Sequence, residues 1–502
     1  MKKSIEMLSG ELWYAGVVND GYRFPLDETS DYAFDFDTND TFNQINPVLL
    51  SSCGRYAFAD RGKFAVKNGI LTVEAENAEF GREGETLASA ARAARRFYPP
   101  DGKTPDKIQY LSPQYCTWIA LGENHSQAGV IDFARSLKAA GFPSGLIIID
   151  DSWQRDYGDW RFTDAFPDPK RMFDELREMG FKTSLWIVPY ISETAPAFKK
   201  LDNVCGILRQ GDKILPAKWW KATTPALDLT SPAAIEWLTE TLDGLKRDYG
   251  VDGFKFDGGD AAFYDESADG QRLSEIWATF YPSDIKELRA CYKAGGRAIT
   301  QRLADKAHEW RVVERRDENG NPYLSYGLEA VVPNSLVQGL VGYPFGCPDM
   351  VGGGLACDMD SGDKIDPELM LRSLEAEVLM PSLQFSYPVW KMDEKTVAKA
   401  KRILAVREKY LGYIGELYEE AAKTGEPILR PLEYEFPHEG LGKITDCFML
   451  GEKYLVCPIL VKGEKGRNVR LPRGRWRFGG EITDGGREIY VSSDELIVFE
   501  RI

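Results

Sequence analysis

The segment GVDGFKFDGGD, residues 250–260, ends an apolar run with Lys255, Asp257 and Asp260 around two glycines. A carboxylate at such a place can attack an electrophilic carbon, bind hydroxyl groups or ligate a divalent cation. A neighbouring lysine disfavours the metal site, because two cations repel each other, whereas it keeps an attacking carboxylate ionised. The segment therefore predicts carboxylate chemistry, with a metal-dependent hydrolase as the alternative.

Several other apolar segments of the chain contain or end in acidic, basic or aromatic residues. If these segments are parallel strands of one barrel, their carboxyl ends meet at one face, where such barrels carry their active groups. One strand ending in Asp would be unremarkable, because Asp is common in turns, but the repeated pattern indicates a shared pocket. The candidate pocket residues are Asp150, Asp151, Trp153, Trp186, Lys255, Asp257, Arg302, Asp317 and Asp349.

The middle of the chain, residues 106–410, alternates strand-like apolar segments with helical ones. We predict strands at 115–121, 145–151, 182–190, 252–259, 297–303, 309–317, 339–349 and 380–388. Continuous apolar strands separated by helices are typical of parallel strands covered on both faces. Eight such units over about 300 residues favour a (β/α)8 TIM barrel of the α/β class. An open doubly wound sheet is the alternative, although no nucleotide-binding glycine motif supports it.

The two ends of the chain have a different pattern, with short alternating strands separated by Gly, Asn and Asp. This pattern is typical of antiparallel sandwiches. We predict an N-terminal β-sandwich at 1–105 and a C-terminal β-sandwich at 411–502, which flank the barrel.

Composition excludes several classes of function. The 502 residues carry 62 Lys and Arg against 78 Asp and Glu, a net charge of −16, which disfavours nucleic acid as a partner. No segment is as long and apolar as a membrane helix or a signal peptide, and the eight cysteines lack a C-x-x-C motif. We therefore expect a cytoplasmic protein without a membrane partner. Three histidines disfavour a Ser-His-Asp triad and a histidine-rich metal centre.

The order of several motifs resembles that of glycoside hydrolase family 31, in particular a branch of α-galactosidase-like bacterial relatives. The motifs are FPDPKRMFDELREMGFKTSLWIVP, ALDLTSPAAIEWL, KFDGGD, GYPFGCPDMVGGG, MPSLQFSYPVW and GEPILRPLEYEFP. The resemblance implies a TIM barrel between two β-sandwiches. It also implies a hydrolase that acts on small-molecule or oligosaccharide α-glycosides and needs no cofactor or metal.

The resemblance also implies roles for individual residues. Asp257 in KFDGGD matches the catalytic nucleophile, and Asp317 in VVERRDENG matches the acid/base. The usual W-x-G-D motif is replaced by ERRD, so Glu314 is the alternative acid/base. The expected substrate-binding residues are Asp150, Asp151, Trp153, Trp186, Lys255, Arg302 and Asp349.

The predicted function is that of a retaining, exo-acting α-glycosidase, with α-galactosidase as the preferred specificity. QFSYP stands where many family members carry a histidine after the eighth strand, which disfavours α-glucosidase specificity. The alternatives are an α-glucosidase, an α-xylosidase, an α-N-acetylgalactosaminidase or a non-catalytic sugar-binding protein. The sequence leaves homo-oligomerisation open.

Overall fold

A curled parallel sheet lies at the centre of the chain. The computed structural model describes residues 2–38, 42–219, 223–316, 322–355 and 365–502. The barrel strands, numbered one to eight, are Gln114–Cys116, Leu146–Ile149, Lys182–Ile187, Gly253–Phe256, Lys286–Leu288, Thr300–Arg302, Gly346–Cys347 and Gln384–Phe385. Strands one to seven pair with their neighbours in parallel, strand eight pairs with strand one, and Met350–Val351, just after the seventh strand, pairs with the eighth. This topology fits the predicted (β/α)8 barrel.

The structure corrects the predicted fifth and sixth strands. The fifth barrel strand, Lys286–Leu288, lies outside every predicted segment, and the predicted segment 297–303 contains the sixth strand. The segment 309–317 was expected to be the sixth strand, but its described part contains Val313–Arg316, which pairs antiparallel with Pro322–Ser325 in a separate hairpin. Each of the other seven predicted segments overlaps a barrel strand.

The apolar pattern misses the fifth strand because two of its three residues are charged, although all three are buried. The Lys286 ammonium donates to two backbone carbonyls, at 2.7 and 2.9 Å. The Glu287 carboxylate lies 3.2 Å from Nε of Arg302 and accepts a 2.6 Å hydrogen bond from Gln384. Buried charges are tolerated when they are paired and hydrogen-bonded, but hydropathy does not reveal them.

Helices between the strands cover the outside of the barrel. The helix Pro232–Tyr249, which precedes strand four, is one example. Pro232 occupies its first turn, and apolar residues at spacings of three and four form its buried face. It ends at Gly250, whose φ of 81° is a conformation that glycine adopts readily, and the chain enters strand four. The other long helices are Gln127–Ala139, Pro169–Glu178, Gly270–Thr279, Leu328–Leu340, Pro367–Glu377 and Glu394–Glu408.

The N-terminal region contains two four-stranded antiparallel sheets. In sheet order, their strands are Lys2–Glu6, Ile70–Glu74, Lys63–Lys67 and Tyr32–Asp35, then Trp13–Val17, Ile45–Ser51, Arg55–Ala59 and Ala78–Arg82. The helix Leu87–Ala94 follows them. The predicted sandwich packing and the boundary at 105 stay predictions.

The C-terminal region begins with the helix Leu411–Thr424, and its strands start only at Leu429. Tyr418 on that helix stacks on Tyr110 with the ring centroids 3.8 Å apart, so the helix packs against the barrel region. A six-stranded antiparallel sheet then comprises Leu429–Arg430, Phe448–Leu450, Tyr454–Cys457, Ile497–Arg501, Arg475–Phe478 and Glu481–Asp484. Gly466–Leu471 and Arg487–Ser492 form a separate pair. The predicted C-terminal sandwich stays a prediction.

The N-terminal region is bonded directly to the carboxyl ends of barrel strands. Gln44 donates from Nε2 to the backbone carbonyls of Arg289 and Arg302, both at 2.6 Å. Both bonds are buried, and they fix the N-terminal sheets over the end of the barrel where the candidate site residues lie. Across the described ranges, no helix combines the length and apolar character needed to cross a bilayer.

Candidate active site

A cavity of about 1060 Å³ opens at the carboxyl ends of the barrel strands. The barrel region contributes Asp150, Asp151, Trp186, Lys255, Asp257, Arg289, Asp305 and Glu314 to its lining. The N-terminal region contributes Asn19, Asp20, Arg23, Phe34 and Phe42. The structure thus brings five of the predicted pocket residues together in one cavity, and it adds a wall from the N-terminal region.

Asp257 follows strand four, and hydrogen-bond donors hold both of its carboxylate oxygens. Oδ1 accepts bonds from Arg289 Nε at 3.0 Å and from the backbone N–H of Gly258 at 2.8 Å. Oδ2 accepts a bond from Trp186 Nε1 at 3.0 Å. Because every one of these partners donates a hydrogen bond, the site fixes the orientation of the ionised carboxylate and favours its charged form.

The electrostatics also favour the ionised form of Asp257. Burial raises the pKa of the carboxyl group, but Arg289, Lys255 and Arg302 lower it by more, so the pKa lies well below its ordinary range. The carboxylate is therefore charged at neutral pH, as an attacking nucleophile must be.

Arg289 is a residue of the candidate site that the sequence analysis missed, because it directly follows the unrecognised fifth strand. Its guanidinium donates to both carboxylate oxygens of Asp260, at 2.9 and 2.8 Å, as well as to Asp257. Nη1 also donates to the carbonyl of Phe42 at 2.6 Å. Arg289 thus joins the carboxylate after strand four to the N-terminal wall. In the segment IKELRA, residues 285–290, Arg289 directly follows a leucine, as charged residues follow apolar ones at the other strand ends. This similarity could have revealed Arg289 as a candidate site residue.

Asp150 and Lys255 form a buried ion pair, with 2.7 Å between Oδ2 and Nζ. Cys116 donates to the same oxygen from Sγ at 3.0 Å. Burial raises the pKa of Asp150, but the Lys255 ammonium lowers it more, so the net shift is downward. Asp151 lies beside the pair, and its Oδ1 accepts bonds from the Ser152 N–H and Gln154 Nε2, both at 2.7 Å. Fixed carboxylates and an ammonium together can accept bonds from, and donate bonds to, substrate hydroxyl groups.

Three predicted substrate-binding residues, Trp153, Arg302 and Asp349, are buried behind the described cavity lining. Trp153 donates through Nε1 to the Trp186 carbonyl at 2.9 Å and so supports a residue that does line the cavity. Arg302 pairs with Asp349 through Nη1, and the same nitrogen lies 2.6 Å from Oδ1 of Asp305, a lining residue that the sequence analysis did not single out. In this structure these side chains orient lining residues.

The predicted acid/base, Asp317, lies outside the described residues. The alternative, Glu314, lines the cavity with an exposed side chain, and Asp305 is a further carboxylate of the same wall.

The described ranges contain no group of three or more His, Cys, Asp and Glu side chains arranged as a metal site. The carboxylates of Asp150 and Asp257, which could ligate a cation, bond instead to Lys255 and Arg289.

Two protein-family models match this chain. The glycosyl hydrolases family 31 TIM-barrel domain matches residues 111–313, and the family 31 C-terminal domain matches residues 425–501.

Individual relatives agree with these matches. The chain is 31% identical to the mouse myogenesis-regulating glycosidase over 411 residues, covering 78% of this chain and 55% of that protein. It is 24% identical to the α-xylosidase XylQ of Lactiplantibacillus pentosus over 481 residues, covering 88% and 59% respectively. This chain therefore spans just over half the length of these relatives. A solved family 31 sulfoquinovosidase from E. rectale has the same fold, with a TM-score of 0.81 at 18% identity over 100% of this chain and 82% of that one.

Proposed function

Because this chain belongs to glycoside hydrolase family 31, we propose that it is a retaining, exo-acting α-glycosidase with Asp257 as its nucleophile. The observation that carries this proposal is the environment of the Asp257 carboxylate, whose oxygens accept bonds from Trp186, Arg289 and Gly258 at the end of a barrel strand. Those bonds stabilise the charged form and leave the proton-transfer role to a second carboxyl group.

In the proposed first step, an oxygen of Asp257 attacks the anomeric carbon, and the bond from that carbon to the leaving oxygen breaks. The acid/base gives its proton to the leaving oxygen, and the sugar remains as an ester on Asp257. In the second step the same group takes a proton from water, whose oxygen attacks the anomeric carbon and releases Asp257. Two inversions retain the α configuration. The N-terminal wall of the cavity supports cleavage at chain ends, because it closes one side of the site.

Asp317→Asn should lower kcat/KM by about 10²-fold for a substrate with a poor, sugar-like leaving group, because protonation of that oxygen is lost. A glycosyl fluoride, whose leaving group needs little protonation, should be far less affected in the first step. Comparing the two substrates measures this difference. Glu314→Gln is the matched variant. If it has the selective defect and Asp317→Asn does not, Glu314 is the acid/base.

We propose α-galactose as the terminal sugar. Asp150, Asp151 and Lys255 lie together in the cavity, and they could bond the axial hydroxyl at carbon 4 that distinguishes galactose from glucose. A site built to bond a hydroxyl rejects the wrong epimer strongly, because buried polar groups then lose their partners. The segment directly after strand eight contains no histidine, which disfavours α-glucosidase specificity. Ser386 lies there instead and donates to the carbonyl of Val351 at 3.3 Å.

A panel of nitrophenyl α-glycosides tests this specificity. We expect kcat/KM for the α-galactoside to exceed that for the α-glucoside by about 10²-fold or more. The panel includes the α-xyloside, the α-N-acetylgalactosaminide and the α-sulfoquinovoside, because xylosidases and a sulfoquinovosidase are among the relatives. Faster turnover of any of these substrates would overturn the assignment of galactose as the terminal sugar, but it would leave the proposed glycosidase activity intact. A product of inverted configuration by NMR would instead overturn the retaining mechanism.

A further inference from the structure

Two cysteines of the C-terminal region lie opposite each other on neighbouring antiparallel strands. The strand Phe448–Leu450 pairs with Tyr454–Cys457, in a register that places Phe448 opposite Val456. One position further along, the same register places Cys447 opposite Cys457. Neither cysteine belongs to the described lining of the candidate active site, so the pair has no part in the proposed chemistry.

This register brings the two side chains within the reach of a disulfide bond. Residues directly opposite on antiparallel strands have Cα atoms about 4.5–5.5 Å apart, and a disulfide joins Cα atoms about 4.4–6.8 Å apart. Both cysteines are free thiols in this structure. The two thiols are hydrogen-bonded to each other, and this bond, together with burial, raises the pKa of Cys447 well above its ordinary value. A disulfide between them therefore requires rotation of the side chains without a shift of the backbone.

One guanidinium holds the two cysteine-bearing strands together next to the thiols. Arg467, on a third strand, donates from Nη1 to the carbonyls of Pro458 at 2.7 Å and Asp446 at 3.1 Å. Its Nη2 donates to the Asp446 carboxylate at 2.6 Å. Asp446 directly precedes Cys447. Pro458 directly follows Cys457, so these bonds fix the spacing of the pair. The positive charge of Arg467 also favours a thiolate at Cys447, against the effects of the Cys457 bond and of burial.

The two thiols differ in how a small reagent reaches them. Cys447 and Cys457 are 2% and 0% exposed, so neither thiol reacts freely while the strands are closed. Cys447 stands just outside the paired strand and follows Asp446, whose side chain is 54% exposed. Cys457 is the last residue of its strand and is also paired with Ile497 on the other side. Because the ends of elements open more readily than their paired interiors, a small reagent meets Cys447 first.

We propose that Cys447 and Cys457 are a site of reversible oxidation, at which a low-molecular-weight disulfide converts the two thiols into a cross-strand disulfide. The Cys447 thiolate attacks one sulfur of the small disulfide, whose S–S bond breaks and releases a first small thiol. The Cys457 thiolate then attacks the Cys447 sulfur and displaces the second small thiol. The two protein thiols lose two electrons and two protons, and the small disulfide gains them. An excess of a reducing thiol reverses the sequence.

The new bond would restrain a strand that connects the C-terminal sheet to the rest of the protein. Tyr454, on the same strand as Cys457, packs edge-on against Tyr413 of the helix Leu411–Thr424, with the ring centroids 5.4 Å apart. That helix packs in turn against the barrel region. Because a disulfide restricts the unfolded chain, we expect the oxidised protein to unfold at a higher temperature than the reduced protein.

Oxidation of the folded wild-type protein by oxidised glutathione tests the proposal. Trypsin cleaves after Lys453, between the two cysteines, so they lie on the separate peptides ITDCFMLGEK and YLVCPILVK. After the remaining thiols are blocked with N-ethylmaleimide, we expect mass spectrometry to find these peptides linked, at their summed mass less two hydrogen atoms. Dithiothreitol should restore the separate peptides. The exposed Cys205 is the reagent control and should carry a glutathione adduct.

Serine variants separate the two steps of the oxidation. Cys457→Ser should accumulate a mixed disulfide between Cys447 and glutathione, because the second attack is lost. Cys447→Ser should give neither the linked peptides nor an adduct at Cys457, because the more accessible thiol is absent. Cys291→Ser is the matched control, since Cys291 is a buried cysteine that donates to Gln301 in the barrel region. It should keep the link.

The proposal is overturned if Cys205 carries glutathione while Cys447 and Cys457 both react with N-ethylmaleimide. Linkage that appears only after denaturant is added, or linkage of either thiol to a different cysteine, would overturn it as well. An unfolding temperature no higher in the linked protein would contradict the stabilising effect of the bond. The wild-type measurement requires no substitution and no substrate, so it is independent of variant folding and of the proposed glycosidase.

Discussion

Asp257→Asn is expected to lower kcat by about 10⁴-fold or more, as removal of a catalytic nucleophile commonly does. The amide has nearly the shape of the carboxylate but cannot attack the anomeric carbon. Binding of the terminal sugar should stay measurable by calorimetry, because Asp150 and Lys255 are unchanged. Asp248→Asn, on the exposed end of the helix Pro232–Tyr249, is the matched control and should keep the wild-type rate.

The covalent role of Asp257 has a direct chemical test. Asp257→Gly removes the proposed nucleophile and leaves space for azide, which should attack the anomeric carbon once and give a β-glycosyl azide from an α-glycosyl fluoride. Its formation by NMR would identify the missing nucleophile. Rates like those of the wild type in Asp257→Asn, with deamidation excluded by mass spectrometry, would contradict the double displacement.

Sequence alone predicted the part of the candidate site that consists of apolar strands followed by charge. Asp150 and Asp257 follow the strands Leu146–Ile149 and Gly253–Phe256, whose residues are all buried and mostly apolar. Such strands have a clear pattern, and the geometry of a parallel barrel then brings their ends together. Arg289 was missed because the strand before it consists of Lys, Glu and Leu.

The N-terminal wall of the cavity could not be predicted from a local pattern. Arg23 and Phe42 have no chemical signature in the sequence, and they reach the cavity because long-range bonds, among them those of Gln44 and Asn334, hold the N-terminal region against the barrel. The contacts that define the wall join residues more than 200 positions apart in the chain. Trp153 and Arg302 were predicted to bind substrate, but their side chains lie behind the described cavity lining. Whether a side chain reaches the cavity depends on its depth within the barrel, and a position near a strand end does not reveal that depth.

Arg289→Met is expected to lower kcat/KM by about 10³-fold, because it leaves Asp257 and Asp260 buried without their shared cation. Arg289 bonds to both carboxylates. Burial raises the pKa of Asp260, and the charge of Arg289 acts in the opposite direction by lowering it. Asp260→Asn is the matched variant: it removes one carboxylate and keeps the Arg289–Asp257 bond. It should lower kcat/KM far less.

The pH dependence separates this electrostatic role from a loss of structure. Arg289, with Lys255 and Arg302, lowers the pKa of Asp257 against the effect of burial. If Asp257 is the nucleophile, as proposed, it must be ionised, so the wild-type protein should keep its kcat/KM down to pH values below the ordinary carboxyl range near 3.9. Without the guanidinium the pKa should rise, so that activity is lost at a higher pH on the acid side. Arg289→Lys keeps the charge and should show a smaller upward movement than Arg289→Met. Profiles of kcat/KM against pH for the three proteins measure this order. A fall in rate with no movement of the acid limb in Arg289→Met would mean that Arg289 orients the site without setting the ionisation of Asp257.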